Sequence, residues 1–121
     1  MALGKIKADT LEHSTAGSLD TQYVVNGSAK VWADFNGSGT VSLNDSFNVS
    51  SLDDDGTGDY SLNFTSAMNS VNFCCTAMSS NNDRRNNADN TSTELHIGTF
   101  NSSGVAEDSD RVYGSATGDL A

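Results

Sequence analysis

Proline is absent from this 121-residue chain, where an average usage of about 5% would supply roughly six. Sheet edges therefore have no proline to block pairing with a foreign strand, and must be charged, covered or paired. Cysteine is limited to the neighbours Cys74 and Cys75, which excludes a disulfide-built scaffold and points to synthesis in a reducing cytosol. Adjacent residues on a strand point to opposite faces, so the pair reads as small hydrophobes, not as a zinc or redox dithiol. Basic side chains are scarce: six Lys and Arg stand against 16 Asp and Glu, for a net charge of −10. Such a surface repels phosphate, so neither nucleic acid nor an anionic membrane is an expected partner. No apolar run approaches the ~20 residues that span a bilayer. The opening segment Met1–Asp9 lacks the apolar stretch of a secretory signal. G-x-S-x-G, P-loop and HExxH patterns are all missing. No catalytic residue, cofactor site or metal site is expected, and the chain is not read as an enzyme.

Core-forming side chains are also few. Leu, Ile, Val and Phe together number 23 of 121, below the ~20% that usually accompanies disorder when net charge is high. They are not scattered, however. Val31, Ala33 and Phe35 alternate with polar neighbours, as do Val41 and Leu43, Phe47 and Val49, Tyr60, Leu62 and Phe64, Val71, Phe73 and Cys75, and Leu95 and Ile97. A last run contains Val112 and Tyr113. Period-two alternation reads as half-buried antiparallel strands. Asn26-Gly27, Asn36-Gly37 and Asp55-Gly56 supply turns. The expected fold is all-β: an antiparallel β-sandwich, jelly-roll-like, of about seven short strands over residues 23–121. Residues 1–22 are too sparse in apolar side chains for a core strand and read as an extended N-terminal anchoring arm. A core this lean is expected to gain burial from neighbouring subunits.

Ser, Asn, Thr and Gly make up 53 residues, and they carry a resemblance. Val25-Asn26-Gly27-Ser28-Ala29-Lys30-Val31-Trp32, followed by Phe35-Asn36-Gly37-Ser38-Gly39-Thr40-Val41, resembles a recurrent segment of bacteriophage tail-fibre and related virion appendage proteins, those of short marine-phage-like fibres among them. Asp45–Ser51, Asp55–Tyr60 and Asn63–Thr65 continue the likeness, and Lys5–Leu11 looks like the start of short phage appendage proteins. The resemblance implies a structural subunit of a virion, commonly a homotrimer, that assembles with itself and with other virion proteins. Capsid decoration, a head fibre, or a module that recognises a host surface glycan are the alternatives.

Individual residues fit into that frame. Leu3, Ile6 and Leu11 of the arm are candidate interface contacts. Trp32 falls opposite Val31, Ala33 and Phe35, so it points either to an interface or to a second packed layer. Arg84 and Arg85 lie in the longest polar stretch, 79–92, which reads first as a solvated connecting loop, with a loop that meets a glycan or a partner carboxylate as the alternative. Asp53–Asp59 reads as an acidic hairpin turn, because an EF-hand needs an acid at its twelfth position and Phe64 stands there. His13 and His96 lack ligand spacing and read as solvated or hydrogen-bonded histidines.

Overall fold

The computed structural model describes residues 4–80 and 85–121, with the side chain of Arg85 excepted. Residues 10–27 form a short hairpin, β1 (Thr10–His13) and β2 (Gly17–Asp20), and one helix, α1 (Thr21–Gly27). Eight strands follow: β3 (Ala29–Asn36), β4 (Ser42–Phe47), β5 (Val49–Gly56), β6 (Asp59–Phe64), β7 (Cys74–Ser79), β8 (Arg85–Thr91), β9 (Glu94–Phe100) and β10 (Val112–Thr117). They make two antiparallel four-stranded sheets, ordered β4-β3-β10-β7 and β5-β6-β9-β8. The chain is an antiparallel β-sandwich. Pairing of its first strand, β3, with its last, β10, is a jelly-roll trait. The in-sheet hairpins β3–β4, β5–β6 and β8–β9 are additional to that pattern.

Alternation sets which side of each strand is buried. On β3, Val31, Ala33 and Phe35 face inward; on β6, Tyr60, Leu62 and Phe64; on β9, Leu95 and Ile97; on β10, Val112 and Ala116. The two sheets approach closely because one of them is built from small residues at its centre. A methyl group on Gly114 would stand 2.6 Å from Ile97 Cδ1, 3.2 Å from Leu62 Cδ1 and 3.3 Å from Leu95 Cδ2. At this point small residues on one sheet meet branched ones on the other. At one end, the ring of Tyr60 packs edge-on against Phe35 with centroids 5.2 Å apart. Its hydroxyl donates to the carbonyl of Gly37 at 2.6 Å. Burial pushes the Tyr60 phenol pKa upward, since the charged form would lose its water.

Strand edges follow the sequence less visibly. Phe47 and Val49, read as one run, are separated by Asn48, whose φ of 58° turns the chain from one sheet to the other. Asn is one of the few residues that adopt this left-handed conformation readily. Its side chain accepts from Ser66 N at 2.7 Å and donates to Ser66 O at 3.0 Å, fixing the corner. The run at 71–76 begins later, at Cys74, and residues 85–91 of the expected polar loop are strand β8, paired with β9 residue for residue. Among the described residues the sandwich thus holds eight strands. Within the segment read as an arm, residues 1–22, those from Ala8 to Thr21 fold back on themselves and are not extended: Thr21 N donates to Asp9 O at 2.8 Å and its hydroxyl to Ala8 O at 2.7 Å. Among the described residues, no helix is long and apolar enough to cross a membrane.

Two substitutions test this packing. Gly114→Ala is expected to destabilise the fold by about 1–3 kcal/mol through overpacking. Tyr60→Phe, which leaves the Gly37 carbonyl without its donor, is expected to cost about 1–3 kcal/mol. Urea unfolding followed by tryptophan fluorescence measures both.

Candidate functional site

The outward faces of the two sheets differ in chemistry. On β4-β3-β10-β7, register places Phe47, Trp32, Ser115 and Thr76 in one row and Asp45, Asp34, Tyr113 and Met78 in the next. Trp32 does face outward, 39% exposed, beside Phe47 at 53%, and Met78 is exposed at 61%. A surface hollow of about 340 Å³ lies between β7 and β10, lined by Thr76, Met78, Tyr113 and Ser115. Arg111 forks Asp34 with Nε at 3.0 Å and Nη2 at 2.5 Å, and its guanidinium carbon lies 5.8 Å from the centre of the Tyr113 ring. Asn44 adds a donor to Asp34 at 3.1 Å. The Arg111 hydrogen bonds hold the Asp34 carboxyl below its ordinary value. In turn, Asp34 pushes Arg111 upward. This face combines flat aromatic surface with one fixed charge pair, the make-up of a contact surface.

The N-terminal segment adds a second apolar surface. Ile6 is 95% exposed, while Leu11 and Leu19, cross-strand partners in the β1–β2 hairpin, are about half exposed. Helix α1 buries no residue, and leaves Tyr23, Val24 and Val25 in solvent. Of the sequence-derived interface residues, Ile6, Leu11 and Trp32 are therefore all on the surface. Leu3 and Arg84 lie outside the described residues, as does the side chain of Arg85, whose backbone opens β8.

The outward face of β5-β6-β9-β8 is polar and acidic. Asp53, Ser61, His96 and Asp89 share one row by register. Ser61 Oγ lies 2.6 Å from Asp55 Oδ2 and 3.0 Å from Glu94 Oε1. His96 Nε2 makes an ion-pair contact with Asp59 Oδ1. Although Ser61 stands directly across from His96, its hydroxyl is engaged by carboxylates, so the imidazole is not placed as its general base. Asp53–Asp55 sit on the strand and the hairpin turn itself is Thr57-Gly58. The acidic stretch was legible in the sequence, but its meeting with His96 was not. Only the alternation of Asp59, Ser61 and Asn63 against Glu94 and His96, laid in register, brings it out. His13 accepts from the N–H groups of Thr15 and Ala16 through Nδ1, capping the first hairpin. Cys74 is exposed and Cys75 half-buried, on opposite faces, and burial raises the Cys75 thiol pKa.

Comparison with protein-family models, with curated proteins and with solved structures finds no match to this chain.

The Asp34–Arg111 link has a pH signature. A carboxyl held below its unfolded value stabilises the fold above the ordinary carboxylate range, and that contribution disappears as pH falls through the folded pKa. In a carboxyl ¹³C titration, Asp34 is expected to protonate at lower pH than an unpaired aspartate, and Arg111→Met to move it back up. An unchanged Asp34 titration in Arg111→Met would contradict the pairing.

Proposed function

We propose that this protein is a structural subunit of a bacteriophage particle, a tail-fibre or tail-appendage component that assembles as an oligomer, in the first instance a homotrimer, through its N-terminal segment and its sandwich. The observation that carries the reading is the uncovered N-terminal segment. Ordering a residue costs about 1–2 kcal/mol of backbone entropy. A two-stranded hairpin is marginal on its own, and a helix needs about 12–15 residues to persist in water. Helix α1 has seven residues and no buried side chain. Covering a Leu, Ile or Val fully is worth about 1.5–3 kcal/mol. Ile6, Leu11, Leu19, Val24 and Val25 supply such side chains, and a neighbouring copy is the surface that would cover them. The likeness of residues 25–65 to phage fibre segments supports the virion setting, and the acidic, polar exterior suits a particle exposed to solvent.

A second reading rests on the aromatic face. Trp32 and Phe47 stand side by side with the Asp34–Arg111 fork, and an aromatic platform next to fixed hydrogen-bonding groups also suits a sugar ring. Under that reading the sandwich is the receptor-contacting end of the fibre and its ligand a host surface glycan.

Light scattering separates these. The full chain at micromolar concentration is expected to show about three times the 12.7 kDa chain mass. A variant lacking residues 1–28 is expected to fall to the monomer while keeping its strand circular dichroism. A full chain that runs as a clean monomer overturns the assembly reading. Glycan-array binding that is lost in Trp32→Ala/Phe47→Ala, with the oligomer intact, favours the second.

A further inference from the structure

The acidic sheet face holds a donor set whose chemistry the assembly reading does not use. Ligating atoms of Asp55, Asp59 and His96 all lie within 4.8 Å of one another. Three separate strands deliver them: Asp55 from β5, Asp59 from β6 and His96 from β9. Asp55, at a register irregularity, and Asp59 flank the Thr57-Gly58 turn, and His96 comes from the neighbouring strand. We propose that Asp55, Asp59 and His96 form a binding site for one divalent cation of the zinc class per chain.

Two features beyond proximity point to a cation. First, Asp59 Oδ1 is shielded from water and receives no hydrogen bond; its neighbour is the ring nitrogen Nε2 of His96. A carboxylate oxygen with no hydrogen bond, turned toward an imidazole nitrogen, brings together the two donor types that a zinc-class ion joins. Second, the surrounding charge is short of protons. Ser61 has one hydroxyl hydrogen and two carboxylates at hydrogen-bond distance, Asp55 and Glu94, so one of the two faces a lone pair. A cation on Asp55 would leave the Ser61 hydroxyl to Glu94 and remove the repulsion. Beside the site, a cavity of about 150 Å³ lined by Thr57, Asn87, His96 and Phe100 leaves room for a water at a further coordination position.

The donor types choose the metal. Zinc takes imidazole nitrogen and carboxylate oxygen together, with four ligands in a tetrahedron. Its bonds of about 2.0–2.2 Å would set the donors about 3.3–3.5 Å from one another, which the wider pairs of the set reach by drawing in and the Asp59–His96 pair, now in contact, reaches by parting. Calcium and magnesium are bound through oxygen and would leave His96 unused.

The test is calorimetric titration of zinc chloride into chelator-treated full-length protein carrying Cys74→Ser/Cys75→Ser, which removes the thiols as competing ligands. Saturable uptake of one ion per chain is expected, weakened at least about tenfold by His96→Gln and by Asp59→Asn, and unchanged by His13→Ala. Histidine-ring NMR of the same parent protein reads the site without touching it: zinc is expected to shift the His96 signals and leave those of His13. No saturable uptake up to millimolar zinc overturns the proposal. So does uptake that His96→Gln leaves intact, a His96 ring signal that does not respond, or calcium that competes as well as zinc. Uptake of one ion per two or three chains also overturns it, since the site is built within one chain.

Discussion

The close approach of the two sheets at Gly114 is the constraint on which the rest of the sandwich depends. Leu62, Leu95 and Ile97 project from one sheet into the space that a side chain at Gly114 would fill, and Ala33 and Ala116 keep the surrounding floor low. With so few large apolar residues in the chain, a thick interlayer would be impossible to fill. A thin one is filled by a handful of branched side chains meeting small ones. Tyr60 extends this economy to the sandwich end, where it contributes ring area to the core and a hydroxyl to the Gly37 carbonyl. A lean composition and a complete core are thus compatible, because the core is shallow.

That same shallowness frees both outer faces for other chemistry. Inward positions are taken by the packing, and alternation leaves every other residue for the surface. On β3 and β10 the outward set is Trp32, Asp34, Tyr113 and Ser115; on β6 and β9 it is Asp59, Ser61, Asn63, Glu94 and His96. The aromatic face and the proposed cation site are therefore on opposite sides of one core, each on the outward phase of its own sheet. The strands near the middle of each sheet hold these side chains more rigidly than loops would, which is what a defined contact or ligand geometry requires.

Much of the fold was legible in the residues. Val31, Ala33 and Phe35, Tyr60, Leu62 and Phe64, and Leu95 and Ile97 gave the central strands by period alone, and the outward orientation of Trp32 followed from the same count. What alternation could not reveal was strand β8, because Asn86 and Asn90 occupy positions where an apolar residue would have signalled the inward side, with only Ala88 between them. Asn48 was hidden for the opposite reason: the apolar rhythm runs straight through it, and only its left-handed backbone breaks the strand. The N-terminal hairpin was invisible because its contacts are local hydrogen bonds at Thr21, with no buried pattern to read. For the acidic site the residues were all in view, but their meeting is a matter of register between β5, β6 and β9. One residue of slip would send His96 into the core, and a linear reading has no access to that phase.

The sandwich is, in effect, two-faced: one side greasy and aromatic, the other anionic. In the proposed assembly, copies that covered the aromatic side would turn the anionic side outward, and like-charged exteriors repel. Under the proposed assembly, such a subunit would favour small closed clusters over open-ended stacking, with the carboxylates on β5, β6, β8 and β9 opposing further growth in a chain that has no proline to guard its edges.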